Sequence, residues 1–123
     1  MPFDIQKAKK HFESREEKKR RELELMRTKA LEDLHRIVQM LIRKYNPRRI
    51  YSWGSVHKPG SFRRVSDIDI AVESLAGPLE GLHAQGDAEE LTGFPVDLVE
   101  LERIHPLHAE TIRTRGKLLY ERE

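Results

Sequence analysis

Over residues 21–45 the apolar positions Leu23, Met26, Ala30, Leu34, Val38, Leu41 and Tyr45 recur every three or four places, with Leu31, Ile37 and Ile42 widening the stripe. That period predicts one amphipathic helix, and Asn46-Pro47 ends it because proline disfavours helical geometry in the residue before it. Upstream, residues 4–22 are highly charged and keep only Ile5, Ala8 and Phe12 as apolar marks, so this segment either extends the helix into solvent or frays. After Pro47 the pattern changes. Arg49-Ile50-Tyr51-Ser52-Trp53 is a short β-prone run that stops at Gly54-Ser55, and Val56 to Val65, with Pro59-Gly60 inside it, reads as a basic loop. Asp67 to Glu73 reads as a second strand, Val96 to Leu101 as a third and Lys117 to Tyr120 as a last one. Helices are expected around Leu79 to Leu91 and over Pro106 to Arg113, which together describe an α+β chain.

At 123 residues the chain is long enough for one compact core and too short for two of ordinary size. The absence of cysteine excludes a disulfide framework and any thiolate-bound metal. No run of signal-peptide character opens the chain, and nothing approaches the ~20 apolar residues of a membrane span. The expectation is a soluble cytoplasmic protein. Net charge is +2, but residues 1–22 hold eight Lys/Arg against five Asp/Glu while the remainder holds fifteen against sixteen. The basic surplus therefore sits in an N-terminal arm, and contact with nucleic acid is expected only there, if anywhere. This divides the chain into a charged helical extension, residues 1–22, and a domain, residues 23–123.

The chemistry concentrates in Ser66-Asp67-Ile68-Asp69-Ile70-Ala71-Val72 and in Pro95-Val96-Asp97-Leu98-Val99. Side chains alternate along a strand, so Asp67 and Asp69 share one face while Ile68, Ile70 and Val72 take the other. Carboxylates clustered in this way need a counter-charge, and hard oxygen donors suit Mg²⁺. Asp67 and Asp69, joined by Asp97 from a neighbouring strand, form a candidate site for two such ions.

Gly54, at a strand end, lets the backbone pass close to a phosphate, and the Ser55 hydroxyl can donate to it. Lys58, Arg63 and Arg64 follow in the loop as candidates for phosphate neutralisation. Gly60-Ser61 is a competing glycine–serine pair, disfavoured because it lies inside the loop and not at a strand end. Tyr51 and Trp53 read as core or rim aromatics. His57, His105 and His108 share no recognisable metal spacing.

With Gly54-Ser55, Ser66-Asp67-Ile68-Asp69, Pro95-Val96-Asp97-Leu98-Val99 and a closing Ile112…Leu119-Tyr120-Glu121-Arg122, the chain resembles the minimal nucleotidyltransferases of the polymerase-β-like superfamily from about Leu23 to Glu123. The eleven residues from Val56 to Ser66 make the loop one longer than the family's usual spacing, and the N-terminal arm exceeds the minimal form. The resemblance implies a small mixed β-sheet flanked by helices. It implies ATP as the nucleotide, held by Gly54 and Ser55, and Mg²⁺ held by the catalytic residues Asp67, Asp69 and Asp97, while Arg63 and Arg64 are added as nucleotide-binding candidates from their place in the basic loop. Such small proteins pair with toxins of the higher-eukaryote-and-prokaryote nucleotide-binding (HEPN) class. The implied function is transfer of AMP from ATP to a toxin tyrosine, with non-catalytic binding of the toxin, or transfer to a small molecule or RNA, as alternatives. Self-association stays open.

Overall fold

The computed structural model describes residues 4–58, 60, 62, 63 and 66–123. The first element is a single helix, α1 (Ile5–Tyr45), capped by Asp4, whose carboxylate accepts from the Lys7 N–H at 3.1 Å. It ends at Asn46, which takes the left-handed conformation open to asparagine and donates its N–H to the Leu41 carbonyl before Pro47. Residues 4–21 extend as helix and do not fray, although every one of them is exposed. Beyond them the predicted stripe faces inward through Ala30, Leu34, Ile37, Val38, Leu41 and Tyr45.

The remaining elements are β1 (Arg49–Trp53), a single 3₁₀ turn (Ser55–His57), β2 (Ile68–Glu73), α2 (Glu80–Glu89), β3 (Val96–Glu100), α3 (Pro106–Arg115) and β4 (Lys117–Glu121). The strands form one mixed sheet in the order β3-β2-β1-β4. β1 runs antiparallel to both β2 and β4, whereas β2 and β3 are parallel, with α2 as the crossover that parallel neighbours require. Ile50, Ile68, Ile70 and Val72 pack against α1 and α2. Tyr51 and Ala71, on the other face, join Leu101 and the α3 residues Ala109 and Ile112 in a second, smaller core.

Two polar contacts fix the elements that carry chemistry. The Gln85 amide on α2 donates to the Val96 carbonyl at 2.6 Å and accepts from the Leu98 N–H at 2.9 Å. It thereby covers the open edge of β3, whose main-chain groups would otherwise lack protein partners. Buried Asp33 on α1 accepts from the Thr92 hydroxyl at 2.7 Å and pairs with Lys29 and Arg36, tying α1 to the segment that leads into β3.

β2 starts at Ile68 and not at the expected Asp67, because the preceding residues close a turn. The Arg63 N–H donates to Ser66 Oγ at 2.8 Å and the Ser66 N–H to the Arg63 carbonyl at 3.0 Å. Sheet pairing then begins with the Ile68 N–H bonded to the Pro95 carbonyl at 2.8 Å. β3 likewise stops at Glu100, where the chain turns through an Arg103 N–H to Glu100 carbonyl bond. No described helix is long and apolar enough to cross a membrane.

The burial pattern predicts that Leu41→Ala, at a fully buried position, costs about 2–5 kcal/mol of stability. Leu25→Ala, on a side chain 70% exposed on the same helix, should stay within about 0.5 kcal/mol of the parent. Urea unfolding of the two variants checks this; equal losses would contradict the assigned face of α1.

Candidate functional site

Alternation along β2 sends Asp69, Ala71 and Glu73 to the α3 side of the sheet. The core beneath α3 takes up Ala71, and Asp69 lies one step closer to the strand's N-terminal end. In register, Asp69 stands beside Asp97 on β3 and beside Trp53 on β1. Register neighbours in a sheet are about 5 Å apart, so the Asp69 and Asp97 side chains rise side by side. Asp67, just before the strand, is exposed, as is Asp97, while Asp69 is half-buried.

Gly54 follows β1 directly and has φ +91°, a conformation that side chains rarely adopt. A Cβ there would overlap Oδ2 of Asp69, so glycine lets this carboxylate lie against the backbone. The 3₁₀ turn that follows is held from behind by α1. Val56 is fully buried in the α1 core, and Arg27 Nη1 donates to its carbonyl at 2.9 Å. Ser55 therefore sits on a fixed turn next to the carboxylates.

Burial, and then the charges of Asp97 and Asp67, push the Asp69 carboxyl up to about 6. None of the three has a cationic partner among the described residues. Nor, among those residues, are three acids or histidines already gathered closely enough to enclose an ion. A donor set of unpaired, hard carboxylate oxygens on or just before adjacent strands, one of them seated against the Gly54 backbone, fits a divalent cation.

The loop residues behave differently. Arg63 is exposed, and its guanidinium donates to the Gly60 carbonyl at 2.8 Å and the Phe62 carbonyl at 3.2 Å. It shapes the turn into Asp67. With Lys19 and Arg20 of the arm it also lines a cavity of about 490 Å³. Arg64, and Ser61 of the competing pair, lie outside the described residues.

Of the histidines, His105 caps α3 by accepting the Leu107 N–H on Nδ1, and His108 stands edge-on to Trp53 with ring centres 5.4 Å apart. His57 is held below the ordinary histidine range by burial and by the charges of Lys117 and Arg27. Residue-by-residue reading missed Arg115 and Lys117, which join Lys58 along the cleft beside Gly54. Their only sequence signal is that they flank Gly116 at the helix-to-strand turn.

Residues 35–123 match the polymerase β nucleotidyltransferase family, and the chain belongs to it. More particularly, it is similar to solved structures of the toxin–antitoxin pair MntA–HepT, in which MntA is the nucleotidyltransferase antitoxin of a HEPN toxin. One is a mutant form with two aspartates, one residue apart, changed to glutamate; it shares 25% identity over 72% of this chain and 73% of that one, with a TM-score of 0.59. A toxin–antitoxin structure with AMP-PNP shares 29% identity over 72% of this chain and 73% of that one, with a TM-score of 0.57. A third, with a tyrosine changed to alanine, shares 27% identity over 72% of each chain, with a TM-score of 0.58. No curated protein matches.

Two predictions follow from this geometry. Gly54→Ala forces a Cβ into Asp69 at a positive φ, and should cost about 1 kcal/mol or more of stability together with nucleotide affinity. Thermal melting and titration with a non-hydrolysable ATP analogue measure both; a variant indistinguishable from the parent would refute the cradle. The second concerns pH. The Asp69 carboxyl binds its proton more tightly folded than unfolded, so its contribution to stability falls as pH rises from about 4 to about 6. Asp69→Asn should therefore stabilise the metal-free protein by on the order of 1–3 kcal/mol above pH 6, and the gain should vanish near pH 4. Denaturant unfolding in EDTA at both pH values tests the sign.

Proposed function

We propose that the protein is a Mg²⁺-dependent nucleotidyltransferase that transfers AMP from ATP to a hydroxyl acceptor, a tyrosine of a HEPN-type toxin, and so serves as a cytoplasmic antitoxin. The observation that carries this reading is the register that sets Asp69 beside Asp97 while the Gly54 backbone lies against Asp69. Three features of similar structures support it: a bound ATP analogue, a mutated pair of aspartates spaced as Asp67 and Asp69 are, and a mutated tyrosine.

In this reading the acceptor oxygen attacks the α-phosphorus of ATP, and the bond from that phosphorus to the bridging oxygen of the β-phosphate breaks. Pyrophosphate leaves with the electron pair, the acceptor becomes an AMP ester, and its proton passes to the exposed Asp97 carboxylate. Asp67, Asp69 and Asp97 are the residues to hold Mg²⁺, which when bound neutralises charge on the phosphoryl oxygens. Ser55 and the N–H groups of the following turn donate to the phosphates, and Gly54 admits them close to the backbone. The turn's attachment to α1 means that these donors need little reorganisation on binding.

Radiolabelled ATP, offered with Mg²⁺ and the cognate partner, should label the partner. Asp67→Ala, Asp69→Ala and Asp97→Ala should each reduce labelling by ~10²-fold or more, as losses of transition-state charge stabilisation do. Three single variants with parental transfer would sink the site assignment. Full neutralisation of the toxin in cells by the Asp67→Asn, Asp69→Asn double variant would instead make binding alone the biological role.

A further inference from the structure

The stripe that packs α1 into the core does not stop where the core does. Ile5, Ala8 and Phe12 precede Leu23, Met26 and Ala30 by 18 residues each, five turns at 3.6 residues per turn, so the arm carries the stripe onward along the same side of the helix. There it is uncovered. Ile5 is 71% and Phe12 63% exposed, whereas Met26 packs on the core and Ala30 is fully buried. By the same period Lys9, Arg15 and Lys19 lie on or beside this stretch against one acid, Glu16. None of the three cations is paired with a carboxylate among the described residues.

A surface of the opposite charge lies at the other end of α1. Residues 65–102 hold ten Asp/Glu and no Lys or Arg, although the domain as a whole is close to neutral. Within that segment the start of α2 exposes Leu79, at 61%, and Leu82, at 70%. Glu80, Leu82 and Glu90 line an open groove of about 500 Å³ against Lys44 and Tyr45, the last residues of α1. Asp87 engages both Lys44 and Tyr45, which leaves Glu80 and Glu90 without a cation among the described residues.

The two faces match in charge and in apolar content, but one molecule cannot join them. Phe12 lies about 48 Å along the helix from Lys44, at 1.5 Å per residue, and the helix between them is unbroken. A second copy lying antiparallel can. Each arm then reaches the α2 end of the other, and because the exchange is reciprocal the contact closes in a two-fold pair and does not grow into a chain. Pairing of arm with arm would instead set two surfaces with the same cationic surplus against each other.

We propose that two copies of this chain associate by exchanging arms, the Ile5 and Phe12 face of each seated on Leu79 and Leu82 of the other, with Lys9, Arg15 and Lys19 facing Glu80 and Glu90. This interface is independent of the transfer chemistry.

Sedimentation equilibrium of the full chain in low salt should give twice the chain mass, shifting to the monomer as NaCl is raised, because exposed charges are screened. Ile5→Ser with Phe12→Ser should weaken association about tenfold or more, whereas Leu107→Ser, at a side chain 73% exposed on α3, should leave it unchanged. Charge reversal identifies the face that receives the arm. Lys9→Glu with Lys19→Glu, and separately Glu80→Lys with Glu90→Lys, should each give a monomer at the concentration where the parent is a dimer. An equimolar mixture of the two should restore the dimer, because every contact in the mixed pair again joins opposite charges. Thermal melting confirms that each variant is folded. A monomeric parent would overturn the proposal, and so would an α2 variant that still dimerises, the result expected of arm-to-arm pairing. A monomeric parent that binds single-stranded RNA through Lys9 and Lys19 would likewise overturn it and assign the arm to nucleic acid.

Discussion

The contrast between two carboxylates on one strand governs this molecule. Asp69 and Glu73 lie on the same face of β2, yet the fold treats them in opposite ways. Burial would raise the Glu73 carboxyl, but hydrogen bonds from Arg113 and Arg49, at 3.0 and 3.1 Å, overcome it and hold Glu73 below the usual range. Asp69 receives no such cation among the described residues, and burial with the charges of Asp97 and Asp67 drives it the other way. The fold thus neutralises Glu73 with its own arginines and, among the described residues, leaves Asp69 repelled by two further carboxylates. An isolated buried charge is expensive, so such an arrangement is stable only with a counter-ion or with a proton taken up instead.

Holding repelling groups together requires a stiff frame, and the opposite face of the sheet supplies it. Ile68, Ile70 and Val72 interleave with the Asp67–Asp69 segment and are fully buried against α1 and α2, so rotating a carboxylate out of the site would expose that row. Gln85 pins β3 in register, and Arg27 pins the turn after Gly54. Phe62 packs edge-on against Phe94 with ring centres 5.8 Å apart, which joins the loop before Asp67 to the segment before Asp97. The long helix is thus more than a lid on the core. Its burial fixes the turn after Gly54 and, through Asp33 and Thr92, the segment leading into the strand that carries Asp97.

Much of this was legible in the chain because it rests on local pattern. The 3.6-residue stripe of α1, the β1 run and the period-2 alternation around Asp69 are written in adjacent residues, and the structure follows them closely. Asp67 fell outside its expected strand because a hydroxyl-mediated turn between Arg63 and Ser66 competes with sheet pairing, and short polar side chains often do this. α2 (Glu80–Glu89) came out shorter than the expected Leu79–Leu91, with a mainly polar surface that weakens its periodicity. Arg115 and Lys117 were invisible for another reason. Their meaning depends on pairing β4 with β1, a contact between distant parts of the chain, and no local period encodes it.

The placement of the carboxylates would also constrain where an acceptor approaches in the proposed transfer. Displacement at the α-phosphorus places attacking and leaving oxygens roughly in line. In the proposed transfer the acceptor gives its proton to Asp97, so it would enter at the edge strand β3. Asp97 and Asp67 are exposed there. In the proposed reading, a small domain with exposed carboxylates at this edge suits an acceptor presented by a folded partner, whose own surface would then close the site. In that reading water would be excluded only in the complex, which would couple efficient transfer to recognition of the partner.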